Sequence, residues 1–239
     1  MKKIVAAIAF LCCLSWSAQA QGEFRFGFQI SPTFSWITTD DNQIDNNSSN
    51  LGLRLGMLGE KFFQEKYSIL FGIGFAFNQG GTLRHTEGGN FWPNSDLSDP
   101  IYRNLPSGVN LKYSLQYIEL PFALKMRTNE FGYMRAFFEI PRITIGMNTQ
   151  ARGDISSSNI ENTSQETIED DVNFFNLSWG LGGGVEYNVS DNTALVGGIF
   201  YQHGFLDVTK DKNAVKSSGE SEDSRGTIRG ITIRLGVMF

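Results

Sequence analysis

Two histidines, two cysteines and a set of carboxylates are the residues of this 239-residue chain whose types invite chemistry. His203 stands in Tyr201-Gln202-His203-Gly204, and His85 lies in a polar stretch read as a loop. A lipid hydrolase at a membrane rim would hold such a histidine beside a serine nucleophile. No Gly-x-Ser-x-Gly elbow is present to project a serine from its strand, so His203 reads as a rim residue without chemistry. Cys12 and Cys13 fall within the first twenty residues. The acidic segments, Asp40-Asp41-Asn42-Gln43-Ile44-Asp45-Asn46-Asn47 and Glu166-Thr167-Ile168-Glu169-Asp170-Asp171, lack the ligand spacing and turn glycine of an EF-hand loop. They read as solvated loops, and no catalytic residue, cofactor or metal is expected. A further set of charges is placed more regularly. Arg25, Arg54, Lys112, Glu119, Lys125, Glu139, Glu186 and Arg234 stand on the small or polar side of alternating segments.

The alternation identifies the elements that carry them. Phe24, Phe26, Phe28, Ile30, Pro32, Phe34 and Trp36 oppose Arg25, Gly27, Gln29, Ser31, Thr33 and Ser35. That period of two is the signature of a β-strand with one apolar face, here rich in aromatics. The same division recurs from Leu51 to Met57, Tyr67 to Phe77, Phe175 to Tyr187 and Ile231 to Phe239, with a less regular run from Thr193 to Val208. Two runs change parity. Leu111, Tyr113, Leu115 and Tyr117 are read as outward, and the outward set then continues as Ile118, Leu120, Phe122, Leu124 and Met126, as a β-bulge would allow. The run from Tyr133 to Met147 switches between Ile140 and Ile143, beside Pro141.

The start of the chain gives a location. Met1-Lys2-Lys3, an apolar run to Leu14 and the small residues Ala18 and Ala20 form a secretory signal peptide over residues 1–20, leaving a single domain over residues 21–239. The mature chain would hold neither cysteine, and loss of Lys2 and Lys3 takes its formal charge from −5 to −7, which excludes a nucleic-acid partner. With no apolar stretch of roughly 20 residues, an exported chain enters a membrane only as a closed barrel. The connections agree with one. Those at 39–50, 79–110, 148–172 and 209–226 are long and polar, whereas those at 60–66, 128–132 and 190–192 are short. Outer-membrane barrels alternate long outer loops with short periplasmic turns, so both mature termini are expected in the periplasm.

The fold class expected is therefore all-β, an eight-stranded antiparallel transmembrane barrel in the cell outer membrane. Phe24, Phe63, Tyr67, Tyr133, Tyr187 and Phe239 would form its inner aromatic girdle, and Trp36, Phe77, Tyr113 and Phe175 its outer one. Eight strands leave an interior that side chains fill. The eight charges named above are thus expected to pair inside as a plug, with a narrow porin and a lipid-modifying enzyme as the alternatives. Gly88-Gly89-Asn90-Phe91-Trp92-Pro93 either meets a partner or packs over the barrel mouth. Terminal Phe239 is expected to serve as the signal read by the barrel-assembly machinery. Outer-membrane lipid and lipopolysaccharide are the surrounding partners.

Several segments together resemble the PorT-like outer-membrane β-barrel family of Bacteroidetes. They are Ala18 to Gln21, Tyr117-Ile118-Glu119-Leu120-Pro121-Phe122-Ala123-Leu124-Lys125, Gly180-Leu181-Gly182-Gly183-Gly184-Val185-Glu186-Tyr187 and Ile233-Arg234-Leu235-Gly236-Val237-Met238-Phe239. The Tyr-Ile-Glu-Leu-Pro run is the most specific of these. Glu139-Ile140-Pro141-Arg142 departs from the small, glycine-bearing strand of relatives. The resemblance implies an integral outer-membrane protein without catalytic residues, with type IX secretion or gliding as its setting and other envelope or secretion proteins as its partners.

Overall fold

The computed structural model describes residues 23–239, so the signal-peptide reading of residues 1–20 lies outside the described residues. In chain order the strands are β1 (Phe24–Thr38), β2 (Ile44–Gln64), β3 (Tyr67–His85), β4 (Gly89–Asn90), β5 (Val109–Arg127) and β6 (Met134–Ser156). They continue with β7 (Thr163–Thr167), β8 (Phe175–Ser190), β9 (Thr193–Gly204), β10 (Val215–Lys216) and β11 (Thr227–Met238). Eight of them form an antiparallel ring in the order β1-β2-β3-β5-β6-β8-β9-β11. Pairing of β1 with β11, from Gly27 opposite Met238 to Thr38 opposite Thr227, closes it. No strand edge of the ring is left open, which is what a hydrocarbon solvent demands of a sheet.

Burial is the reverse of that in a water-soluble protein. The outward residues Phe24, Phe26, Phe28, Ile30 and Phe34 of β1 and Tyr67 to Phe77 of β3 are exposed, while Glu60 and Glu139 are 0% exposed. A continuous apolar band of this size on a monomer's outside is suited to lipid. One end of the ring carries both ends of the described chain and the short turns at 65–66, 128–133 and 191–192; the other carries the long loops. These are the turn end and the loop end below.

The register explains both parity changes, one as expected and one otherwise. In β6 an extra residue near Ile140 and Pro141 shifts pairing against both β5 and β8, so Phe138 and Ile145 face out while Glu139 and Arg142 both face in. In β5 there is no switch. Odd positions face inward all along the strand, from Val109, Leu111, Tyr113, Leu115 and Tyr117 to Ala123 and Lys125. What changes near Tyr117 is the environment. The strand rises out of the apolar band there, and its apolar face lines a core while its polar face meets water. The bulges lie in the neighbours, at Thr149 in β6 and at Asn78 in β3, where φ is +54°. Tyr113 is therefore buried within the loop end and is not part of an outer girdle.

That core is a cap built by the loops. Strands β2, β3, β5 and β6 run 19 to 23 residues, whereas β8, β9 and β11 run 12 to 16. The first long connection is accordingly shorter than expected, since β2 begins at Ile44. Strand β4 pairs with β10, and β7 extends the sheet beside β6. Phe91 and Trp92 enter the core formed by Leu83, Leu111, Tyr113, Leu115 and Ile155. The Trp92 indole N–H donates to the Tyr113 hydroxyl at 3.0 Å, and a side chain at Gly153 would put its Cβ 2.5 Å from the Trp92 ring.

Candidate functional site

The lumen below this cap is the most organised polar site in the described residues. Near the turn end, Glu60 of β2 and Glu186 of β8 face Arg25 of β1 and Lys125 of β5. Lys125 Nζ lies 3.1 Å from Glu60 and pairs more closely with Glu186; Arg25 lies 3.3 Å from Glu186 and 4.0 Å from Glu60. Ser68 donates to the second Glu60 oxygen at 2.6 Å, and Arg127 reaches Glu186 at 3.9 Å while stacking on Phe62.

A second cluster fills mid-barrel. Arg234 of β11 donates to both oxygens of Glu139, at 2.5 and 3.1 Å, and Arg142 donates to the same carboxylate at 2.9 Å. The guanidinium of Arg234 lies 3.8 Å from the ring centroid of Phe200. Gly182 on the adjacent strand leaves room for that ring, since a Cβ there would fall 2.3 Å from it. Arg54 of β2 completes the site, with its Nε 3.1 Å from Glu119 and another nitrogen donating to Thr232 at 2.6 Å. The enclosed cavity among these groups is only about 20 Å³, close to the space of one water.

The structure thus brings together Arg25, Arg54, Glu119, Lys125, Glu139, Glu186 and Arg234. It does not bring in Lys112. Lys112 is at an even position of β5, on the outward face above the apolar band, where it pairs with Asp154 of β6 at 3.3 Å with its side chain 40% exposed. Its assignment to the lumen followed from the parity switch in β5 that the structure lacks. Three partners escape the sequence pattern. Glu60 reads as part of a turn, Arg127 as a strand end, and Arg142 falls on the lipid side unless the bulge beside Pro141 is placed between it and Glu139.

The remaining candidates lie elsewhere. His85 ends β3, buried against Phe91 with a ring-centroid distance of 3.9 Å, and is not in an open loop. His203 faces outward on β9 among Trp179, Tyr201 and Phe205, with the Tyr201 hydroxyl 3.4 Å from Nδ1. Asp171 and Glu166, from one acidic segment, are hydrogen-bonding posts of the cap. Asp171 accepts from the backbone and side chains of Asn94 and Ser95, and Glu166 accepts from Ser98 and Thr163. Phe239 sits on the closing seam, where its N–H donates to the Phe26 carbonyl at 2.7 Å and its ring lies 5.4 Å from that of Phe26.

An eight-strand ring with a lipid-facing apolar wall, a paired charged interior and long loops at one end defines the class: a small outer-membrane β-barrel. Residues 18–210 match the model of the outer membrane protein β-barrel domain family, and the chain belongs to that family. Among solved structures it is similar to neisserial surface protein A, at 9% identity and a TM-score of 0.38 over 89% of this chain and 96% of that one. It is also similar to the attachment invasion locus protein Ail of Yersinia pestis, at 14% identity and a TM-score of 0.37 over 91% of this chain and 99% of that one. A major outer membrane protein of Thermus thermophilus aligns at 14% identity and a TM-score of 0.40, covering 90% and 98% of the two chains. No curated protein matches the sequence.

Proposed function

We propose that this chain is a non-conducting, non-enzymatic outer-membrane barrel that acts by contact with other envelope proteins. The observation that carries the reading is the doubly closed interior: two ion-pair clusters fill the lumen, and a hydrophobic cap anchored by Trp92 covers its loop end. An ion crossing it would have to displace several buried, mutually paired charges, each costly to leave unpaired. Purified protein in planar bilayers is expected to add no conductance above that of the bare membrane; steady ohmic steps would favour a narrow porin instead. In this reading residues 1–20 are removed on export, both mature termini face the periplasm, and the loop end faces outward. The barrel-assembly machinery reads Phe239.

The finer assignment, a PorT-like component of type IX secretion or gliding, is supported by the Tyr117-Ile118-Glu119-Leu120-Pro121 strand motif. Within it, Glu119 contributes to the lumen network beside Arg54. Deletion of the gene is expected to leave secreted cargo inside the cell. Normal cargo export in the deletion strain would remove the secretion role while leaving the sealed barrel intact.

A further inference from the structure

From terminal Phe239, the outward face of β11 runs Val237, Leu235, Ile233 and Ile231 up the lipid-facing wall and then presents Arg229. The ten residue steps from Phe239 to Arg229 cover roughly 33 Å of strand at about 3.3 Å per residue. With a tilt of about 40°, that is roughly 25 Å along the membrane normal, the height of the apolar band. Arg229 thus stands at the upper edge of the band. It shares one rung with Trp36 of β1, His203 of β9 and Trp179 of β8, which oppose one another across successive strand pairs.

The Arg229 side chain is not satisfied among the described residues. Its Nε is buried without a hydrogen-bond partner, and its guanidinium forms no ion pair among the described residues. In the lumen, by contrast, Arg25, Arg54, Arg142 and Arg234 each face a glutamate. Above Arg229, exposed Arg225 likewise makes no side-chain hydrogen bond or ion pair among the described residues. Both arginines line an open cleft of about 330 Å³ together with His203, Phe205 and Thr227. Asp40 also lines it, but its carboxylate already accepts the Arg225 backbone N–H at 2.7 Å.

We propose that this cleft binds a phosphate on a glycolipid headgroup of the outer leaflet, gripped by Arg229 and Arg225. Planar guanidinium groups match phosphate oxygens in paired hydrogen bonds. An arginine on a lipid-facing wall carries a cost that an anionic partner offsets. The flanking rings of Trp36, Trp179 and Phe205 suit the sugar and upper acyl region, where amphipathic aromatics collect. That flank selects a membrane-anchored phosphate over a soluble one. The outer-leaflet assignment rests on the orientation proposed above.

The mature chain carrying Trp92→Phe, refolded in detergent micelles, is titrated with bisphosphorylated lipid A, with dephosphorylated lipid A and with inorganic phosphate, following tryptophan fluorescence, which then comes from Trp36 and Trp179. Saturable binding of the bisphosphorylated lipid is expected, weakened about tenfold or more in an Arg225→Gln, Arg229→Gln double variant that keeps heat-modifiable gel mobility. Dephosphorylated lipid should bind this parent chain as weakly as the double variant binds the intact lipid. Equal affinity in the double variant, equal affinity for dephosphorylated lipid, or the same response to inorganic phosphate alone would overturn the proposal. If the double variant does not fold, Arg225→Gln alone, in a loop, is expected to weaken binding several-fold, and an unchanged affinity counts against the site. Orientation is read separately with Ser218→Cys in intact cells and a membrane-impermeant maleimide. Labelling supports the outer leaflet; protection overturns that assignment whatever the binding result.

Discussion

Glu139 is the carboxylate on which the mid-barrel cluster converges. It is wholly buried and takes three donors from two arginines, one of which is also stacked on Phe200. Removing one member of a buried ion pair costs about 3–5 kcal/mol, because the partner charge stays behind. Glu139→Gln strands both Arg142 and Arg234 and is expected to lower the urea midpoint at which the barrel loses its fast gel mobility. A Glu139→Gln, Arg234→Gln double variant should recover part of that loss, since an unmatched charge is worse than two neutral groups. A midpoint unchanged by Glu139→Gln would mean that the cluster does not hold the wall together. The sequence shows why Glu139 is inside, because it alternates with Phe138 and Ile140. Strict alternation would place Arg142, three positions on, on the opposite face, and it turns inward only through the parity switch read between Ile140 and Ile143. Only the extra residue at Pro141 reunites them.

At the scale of the strand, periodicity reports parity and leaves inside and outside undetermined. In the band, apolar means outward, and the runs of β1, β3, β8 and β11 are legible on that rule. The outer half of β5 obeys the opposite rule. Leu111, Tyr113 and Leu115 are buried inward in a core of ordinary water-soluble kind, with Lys112 on the wet side. The inversion needs no bulge in β5, only that the strand leave the lipid, and nothing in the local pattern marks that point. Strand length was obscured for a related reason. The segment 44–50, Ile-Asp-Asn-Asn-Ser-Ser-Asn, has loop composition, yet it pairs with β3 because that strand rises with it. Phe91 and Trp92 show the complementary effect, for two large aromatics in a polar loop are explained by the cavity they fill above the ring.

The whole molecule is two stacked bodies on shared strands, a lipid-facing barrel held by ion pairs and a loop-end cap held by an apolar core, and pH should separate them. Two groups of the cap are displaced so as to titrate between about pH 4 and 8, His85 and Asp211. Burial beneath Phe91 lowers His85 to about 4, against a weaker opposing pull from Asp41 and a push from Lys216 in the same direction as burial. Burial, reinforced by the neighbouring charges of Glu222 and Asp207, raises Asp211 to about 8. A base whose folded value is depressed contributes stability that is present above its unfolded value and lost as pH falls, here from about 6.5 towards 4. An acid whose folded value is raised does the reverse. It contributes stability below its unfolded value of 3.8 that is lost as pH rises through about 8. Between pH 4 and 6.5 the two oppose each other, and from 6.5 to 8 only Asp211 acts. Limited proteolysis of the loops at 86–108 and 205–226 is therefore expected to speed up as pH rises from about 6.5 to 8, and Asp211→Asn should abolish the rise. His85→Phe should leave that rise intact while removing the acid-side loosening. The barrel's heat-modifiable mobility should stay constant across this range. Loop cleavage independent of pH in wild type, or a barrel that loosens together with its cap, would show that the two bodies do not open separately.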